Sequence, residues 1–236
     1  MLGHWHDWFC TLVVLTVSAS YRYGGLAGIA AQTLLFGWGS VLADLWTSPT
    51  TAKNFARLER HGYGRAAMWA MMAANLVATN GLVVVITDYF QCFDAPLRLD
   101  GWLVAAVAAN LAFAEATFTA GHGLLHRTQR GAQLHLIHHL CKPCSWSTNL
   151  LFHPVDMAVE FSGPFLGLVL SHLFVFHDPL ALGISVHVLH LWYALDHSEN
   201  VKLYHYAHHQ YVDANYSIYI KHRFKGADYV KPLVGG

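Results

Sequence analysis

Charged residues are scarce in this chain of 236 residues, in which only 12% of the side chains are Asp, Glu, Lys or Arg. A soluble domain carries about 25% charged residues. Together with 55% hydrophobic residues and a mean hydropathy of +0.33, the deficit predicts that much of the surface faces lipid. Lys plus Arg and Asp plus Glu balance at 14 each, so no basic excess indicates a nucleic-acid partner.

Cysteine is also scarce, and four copies in so apolar a chain do not indicate a disulfide framework. Cys141-Lys-Pro-Cys144 has the spacing of a zinc knuckle or a redox motif, but the sequence has no second CxxC pair to complete a four-cysteine zinc site. We therefore interpret it as a turn around Pro143.

No Gly-Ser-rich or Pro-rich linker divides the chain, so we predict a single domain over 1–236.

Long apolar stretches take the place of the missing charge. A membrane helix requires about 20 mostly apolar residues. Three stretches meet this requirement: 24–46, 66–87 and 101–121. A shorter one, 8–21, could be a first span or an interfacial helix. Segments 157–176 and 180–195, joined by His177-Asp178-Pro179, predict a helical hairpin that either spans the membrane or re-enters it. The predicted fold is all-α, a polytopic membrane helical bundle in which 1–121 is mainly transmembrane.

Basic residues predict the orientation, because Lys and Arg accumulate on the cytoplasmic side of membrane proteins. The 48–65 loop is basic, whereas the 88–100 loop holds Arg98 alone beside three aspartates. Alternation of spans then places 48–65, 122–156 and 196–236 together in the cytosol. The clustered histidines of the chain all fall on this side, which predicts a cytosolic histidine-rich cap over 122–236 that holds two metal ions.

Histidine is abundant, with 18 copies, and eight of them form three clusters. The clusters are His122 with His126, then His135, His138 and His139, and finally His205, His208 and His209. Positions i, i+3 and i+4 share one face of a helix, so each cluster can present two or three imidazoles to a common point. Eight ligands are too many for one ion, because a structural zinc takes four and a catalytic zinc takes three. The count predicts two ions.

The ligand type does not name the metal, since imidazole suits iron, zinc, copper and nickel. Iron is favoured because a site beside apolar helices suits oxygen chemistry on an apolar substrate. The isolated histidines are interpreted as ordinary core or interface residues: His4, His6, His61, His172, His177 and His222. A metal-transport loop would predict a low-complexity tract, whereas these clusters lie in aromatic-rich sequence.

The order HxxxH, HxxHH, HxxHH resembles the sterol desaturase and fatty acid hydroxylase superfamily of membrane di-iron enzymes. The spacing is most similar to the C-4 methylsterol oxidase branch. Eight residues separate the first two boxes, and thirteen separate the second box from His153-Pro154-Val155-Asp156. Glu115 precedes the first box by seven residues, and five residues lead from the third box to Asn215-Tyr216. The resemblance covers roughly residues 110–222.

The sequence departs from that branch around the third box. Asp196-His197-Ser198 lies eight residues before His205, where the branch has a longer interval. His190 lies fifteen residues before His205, as in the fatty acid 2-hydroxylase branch, and His187 is one turn away from it. His222-Arg223-Phe224 replaces an aromatic-Asp pair of the branch. These departures leave the reaction class in place and the substrate open.

The resemblance implies two iron ions, held by the eight box histidines and one or two further ligands from His197, His190, His187 and His153. The alternative role of His153 is that of a helix cap or an outer hydrogen-bond partner that orients a ligand. Metal-bound imidazoles donate their second N–H to an acceptor, so outer partners are expected among Asp156, Glu115, Asp196, Glu160 and Glu199.

The resemblance also implies O2 as co-substrate and a lipid substrate, either a sterol or a fatty acyl chain. Electrons would come from NAD(P)H through a reductase and cytochrome b5 or a ferredoxin. The carrier is expected to be a separate protein, because the sequence has no His-Pro-Gly-Gly haem motif. Zinc could substitute for iron, and a eukaryotic member would lie in the endoplasmic reticulum membrane. The alternative hypothesis is a non-catalytic metal-binding membrane protein that acts as a scaffold or sensor.

Overall fold

A computed structural model describes residues 2–197, 201, 204–212, 216–218 and 228–234. Within these residues every regular element is helical, which confirms the predicted all-α class. The α-helices in chain order are α1 (Leu2–Ala31), α2 (Trp38–Thr47), α3 (Pro49–Arg60), α4 (Arg65–Tyr89), α5 (Gly101–Arg127), α6 (Gln129–His139), α7 (Pro154–Met157), α8 (Gly163–Phe174), α9 (Pro179–Asp196), α10 (Tyr204–Tyr211) and α11 (Lys231–Val234). Single π-helical turns join α1 to α2 (Gln32–Gly37) and α7 to α8 (Ala158–Ser162).

Helix α1 reverses direction at Gly25, whose φ of 56° and ψ of −147° are not helical. Gln32 Nε2 donates to the carbonyl of Val13 at 2.8 Å. In a straight helix these two residues would lie about 28 Å apart, so the chain must double back between them. The two arms also approach closely, because a Cβ on Gly28 would lie 2.1 Å from Ser20 O. The reversal separates the predicted stretches 8–21 and 24–46 into two arms.

Four helical stretches are long and apolar enough to cross a membrane: Thr11–Thr47, Arg65–Tyr89, Gly101–Arg127 and Pro154–Phe174. The first, with 37 residues, would measure about 55 Å if straight, which exceeds a hydrocarbon core of about 30 Å. The reversal at Gly25 shortens it to two arms. Length and composition therefore fit a membrane protein, as predicted.

Helices α5 and α8 pack closely against each other. A Cβ on Gly167 would lie 2.6 Å from both Phe113 O and Thr117 Oγ1, so only glycine allows this approach. Small residues permit such close helix contacts in membranes. Helix α9 follows α8 after a short turn, where Asp178 accepts the N–H of Ala181 at 3.1 Å and caps the new helix. Helices α8 and α9 correspond in sequence to the two segments of the predicted hairpin, 157–176 and 180–195.

Helix α3 packs on the segment that follows the second histidine box. Asn54 Nδ2 donates to Pro143 O at 2.7 Å, and Asn54 Oδ1 accepts the Lys142 N–H at 3.1 Å. Arg57 Nη1 donates to the carbonyls of Leu140 and Lys142 at 3.1 and 2.9 Å. The basic 48–65 segment, expected to be a loop, instead forms α3 over Pro49–Arg60, and these contacts place it at the same end of the bundle as the second box.

The Cys141-Lys-Pro-Cys144 segment lies in this α3 contact, where both thiols are buried. Cys144 Sγ lies 3.1 Å from Cys141 O, and burial raises the pKa of Cys141 to about 12. A thiol with so high a pKa is inert at neutral pH. Neither cysteine belongs to a group of potential metal ligands within the described residues.

Candidate metal centre

Four helices bring their histidines to one end of the bundle. His122 and His126 lie on the last turns of α5, and Thr128 then caps α6 by accepting the Gly131 N–H at 3.0 Å. The cap lets the chain turn sharply, so that α6 returns its own histidines toward α5. The third box lies on α10, and His197 directly follows α9.

Nine buried imidazoles converge in two sets, and within each set the ring nitrogens lie within 4.8 Å of one another. The five-histidine set is His122, His126, His135, His139 and His208, and the four-histidine set is His138, His197, His205 and His209. Each HxxHH box is thus divided. Its i and i+4 members enter one set, while His138 and His208 enter the other. Both histidines of the first box and two of the three in each HxxHH box therefore meet at a common point, while the remaining member joins the other set.

The nitrogen spacing within each set fits a transition metal. With metal–nitrogen bonds of about 2.1 Å, adjacent ligands of an octahedral ion lie about 3.0 Å apart. In the five-histidine set, Nε2 of His139 lies 2.8 Å from that of His135 and 3.1 Å from that of His126. In the four-histidine set, Nε2 of His197 lies 3.0 Å from that of His209 and 3.3 Å from that of His138. Each set could hold one ion.

Neutral imidazole is the form that binds metals. Burial, followed by repulsion between neighbouring rings, lowers the pKa of five of the rings well below 6.5 and so favours that form: His135, His138, His139, His205 and His209. His126 Nε2 lies 3.1–3.2 Å from Nε2 of His122, His139 and His208. Neutral rings have too few N–H donors on this side to satisfy every such contact, so a cation is the chemically suitable partner.

Three aspartates lie behind the imidazoles, on the Nδ1 side. Asp156 contacts His135 Nδ1 through both oxygens at 2.9 and 3.0 Å. Asp196 contacts His197 Nδ1, and Asp228 contacts His126 Nδ1 at 3.1 Å. Carboxylates in this position fix the tautomer and raise the basicity of a ligand. Asp156 and Asp196 were expected from sequence, whereas Asp228 was missed.

Asp228 belongs to none of the sequence motifs and lies 102 residues after His126. It also accepts the hydroxyl of Tyr216, the second residue of the predicted Asn215-Tyr216 element. Asn215 itself lies outside the described residues, as do Ser198, Glu199 and the 222–224 segment. The tyrosine therefore connects that element to a metal-facing histidine through an aspartate.

The two glutamates expected near the site take different positions. Glu115 accepts the Ile218 N–H at 3.0 Å and the Thr119 hydroxyl at 3.2 Å, and so anchors the segment beyond the third box. Glu160 lies between the two histidine sets, with Oε1 3.2 Å from His122 Nε2.

Of the four additional histidine candidates, the structure brings only His197 into a set. His153 caps α7 by accepting the Val155 N–H at 3.2 Å, which is the structural role expected as its alternative. His187 Nδ1 lies 2.8 Å from Gly183 O. His190 is buried and faces the ring of Phe161 instead.

A largely apolar cavity adjoins the centre. Its wall includes Glu160, and Phe152, which also lines it, stacks on the His138 ring at 4.1 Å. The cavity lies between α1, α4, α9 and the π-helical turn Ala158–Ser162. Its other lining residues include Val13, Leu76, Met157, Phe161, His190 and Tyr193. Phe152 therefore lies between this apolar space and His138 of the four-histidine set.

No family model matches the chain, and searches of curated proteins and of solved structures return no significant match.

Proposed function

We propose that this protein is a membrane-bound oxidoreductase that uses two iron ions and O2 to oxidise a lipid, by hydroxylation, desaturation or methyl oxidation. The observation that carries the proposal is the pair of buried imidazole sets at the end of long apolar helices, in which neighbouring ring nitrogens approach to 2.8–3.3 Å. The box spacing supports iron through its resemblance to membrane di-iron enzymes.

Two irons at these positions would supply O2 activation and hydrogen abstraction from an unactivated C–H bond, chemistry that side chains alone do not perform. The chain would contribute the rest. Asp156, Asp196 and Asp228 hold three imidazoles in the tautomer that directs Nε2 to the ion. Phe118 packs edge-on against His122 and His205 at 5.0 and 5.5 Å, and so keeps water from the inner side of the centre.

The cavity beside Glu160 is the proposed lipid site. Its mainly apolar lining suits a hydrocarbon chain or ring, and a substrate in contact with Phe152 would be separated from the ring of His138 by that one side chain. Val13 and Val14 of α1 line the opposite wall, so the first helical arm would separate the substrate from the surrounding lipid. Sterol and fatty acyl substrates both remain within the proposal.

A basic pocket on the other side of the centre is the proposed point of electron entry. Arg57, Arg60, His61 and Lys142 line it, and His139 of the five-histidine set forms part of its wall. An acidic carrier, such as cytochrome b5 or a ferredoxin, would be attracted by this charge. The predicted cytosolic orientation of the histidine end would make the pocket accessible to such a carrier.

Substitution of one histidine from each set tests the proposal. His138→Ala and His208→Ala should each abolish lipid oxidation and lower the iron content below two per chain, because each removes a nitrogen from a different set. The matched controls are His153→Ala and His187→Ala, which lie outside both sets and should retain two irons and turnover. Full turnover in both set variants would overturn the proposal.

The competing proposal is a non-catalytic metal-binding membrane protein. The completeness of both sets favours the enzyme, because a degenerate member would be expected to have lost ligands. Purified protein that binds zinc alone and oxidises no lipid when given reductant, O2 and iron would favour the scaffold or sensor instead. Turnover is the decisive measurement, since zinc can displace iron during expression.

A further inference from the structure

Glu160 has a position that differs from every other described carboxylate near the histidines. It lies on the π-helical turn Ala158–Ser162, and its side chain is 2% exposed. Such turns insert one extra residue into a helix and recur at functional sites. The Tyr193 hydroxyl donates to the backbone carbonyl of Glu160 at 2.7 Å and so holds the turn in place.

The two carboxylate oxygens of Glu160 face different histidine sets. Oε1 lies 3.2 Å from His122 Nε2 and 3.7 Å from His135 Nε2, both of the five-histidine set. Oε2 lies 3.7 Å from His138 Nε2, which belongs to the four-histidine set. Within the described part of the chain, Glu160 is the one carboxylate on the Nε2 side, since Asp156 and Asp228 contact Nδ1 atoms.

Oε1 of Glu160 is buried and has no hydrogen-bond partner among the described residues. The histidine atoms that face it are Nε2 of His122 and Nε2 of His135, and an Nε2 that binds a metal has no proton to donate. A histidine of a loaded set therefore cannot satisfy this oxygen. A metal ion can, because zinc and iron sites accept carboxylate oxygens beside imidazole nitrogens.

The charge balance of a centre that holds two metal ions also favours Glu160 as a metal ligand. Two divalent ions bring four positive charges into a centre whose nine nitrogen ligands are imidazoles, which carry no negative charge. Among the described residues, four carboxylates surround that centre, three on the Nδ1 side and Glu160 between the sets. Glu160 completes the neutralisation, and it does so where the two positive charges repel each other most.

We propose that Glu160 is a bridging metal ligand. One carboxylate oxygen, Oε1, would bind the ion of the five-histidine set, and the other, Oε2, would bind the ion of the four-histidine set. This inference rests on the proposed two-metal function and goes beyond it, because it assigns a tenth protein ligand and couples the two ions. Each set then has one protein oxygen besides its nitrogens. The bridge also puts a metal ligand on the wall of the proposed lipid cavity.

Direct structure determination of the wild-type protein loaded with zinc tests the bridge. The expected result is a Glu160 oxygen about 2.0–2.2 Å from each ion. A carboxylate that contacts only one ion, or neither, overturns it. Wild-type protein that binds fewer than two ions overturns the bridge and the proposed function together, whereas two bound ions with an uncoordinated Glu160 leave the function standing.

Cobalt titration of apoprotein provides a second measurement. Glu160→Gln preserves size but removes the bridging charge, so it should weaken binding of the second Co2+ at least tenfold and remove the magnetic coupling between the ions. Glu115→Gln is the matched control, a buried carboxylate that contacts Ile218 and Thr119, and it should bind two coupled Co2+ ions. Unchanged affinity and coupling in Glu160→Gln would overturn the bridge.

Discussion

Asp156 offers the sharpest test of how the centre is held from behind. Its side chain is fully buried, and both oxygens accept from His135 Nδ1 at 2.9 and 3.0 Å. Asp156→Ala leaves the His135 N–H buried without an acceptor, which costs about 1–3 kcal/mol. Asp156→Asn keeps one acceptor and removes only the charge. Loss of an outer partner of this kind usually weakens metal affinity about 10–100-fold, or about 1.4–2.8 kcal/mol. The cost of the unpaired N–H and the usual loss of metal affinity are therefore of similar size.

The assay is competition between purified protein and a chromophoric chelator for Co2+ or Zn2+. We expect a loss of about 100-fold for Asp156→Ala and of about tenfold for Asp156→Asn. The control is Asp178→Asn, which weakens the cap of α9 and the ion pair with Arg98 without touching a histidine set. Its metal affinity should be unchanged. An affinity within twofold of wild type in Asp156→Ala, or an equal loss in Asp178→Asn, would refute the reasoning.

Three further predictions concern packing, acidity and thiol reactivity. Gly167→Ala should destabilise the protein by about 1–3 kcal/mol in thermal or denaturant unfolding, because its Cβ would overlap Phe113 O, whereas Gly163→Ala, with open space around its Cβ, should not. Apoprotein should lose stability as the pH falls below about 6.5, by about 1.4 kcal/mol per pH unit for each histidine that the unfolded chain protonates and the native chain does not. The stability falls because burial lowers the native pKa of five histidines: His135, His138, His139, His205 and His209. The measurement is the free energy of chemical unfolding of the apoprotein between pH 7 and pH 5. Stability that rises on acidification would contradict this prediction. Cys141, whose pKa is about 12, should resist alkylation at pH 7.5 until the protein is unfolded, and rapid labelling of the native protein would show that the thiol is accessible.

The helices were predictable because their signals are local. Apolar stretches mark the long helices, and the His177-Asp178-Pro179 turn marks the junction of α8 and α9, where Asp178 supplies the cap and Pro179 the first helical residue. Glycines at 24 and 25 stand between the two arms of α1, so the break between stretches 8–21 and 24–46 was visible. The direction of the reversal was not, because it depends on Gln32 meeting Val13 across the pair of arms.

The candidate site was only partly predictable. The placement of each imidazole on its own helix follows from local spacing, whereas the imidazoles and carboxylates that it meets come from distant parts of the chain. Helical spacing indicates which histidines share a face, but the division of each box between two sets depends on where α5, α6 and α10 meet. His197 could not be separated from His190 by sequence, because both lie at plausible distances from the third box. Asp228 contacts His126 across 102 residues, and no motif predicts such a contact.

The division of each HxxHH box has a consequence for assembly. Helices α6 and α10 have 11 and 8 residues, too short to be stable alone. Each contributes to both histidine sets, so two bound ions would act as cross-links that tie the same pair of short helices together twice. Metal-binding free energy then becomes folding free energy for both helices at once. The centre is therefore expected to fill and empty as a unit, and a half-loaded protein should be the rarest species on the way to the native state.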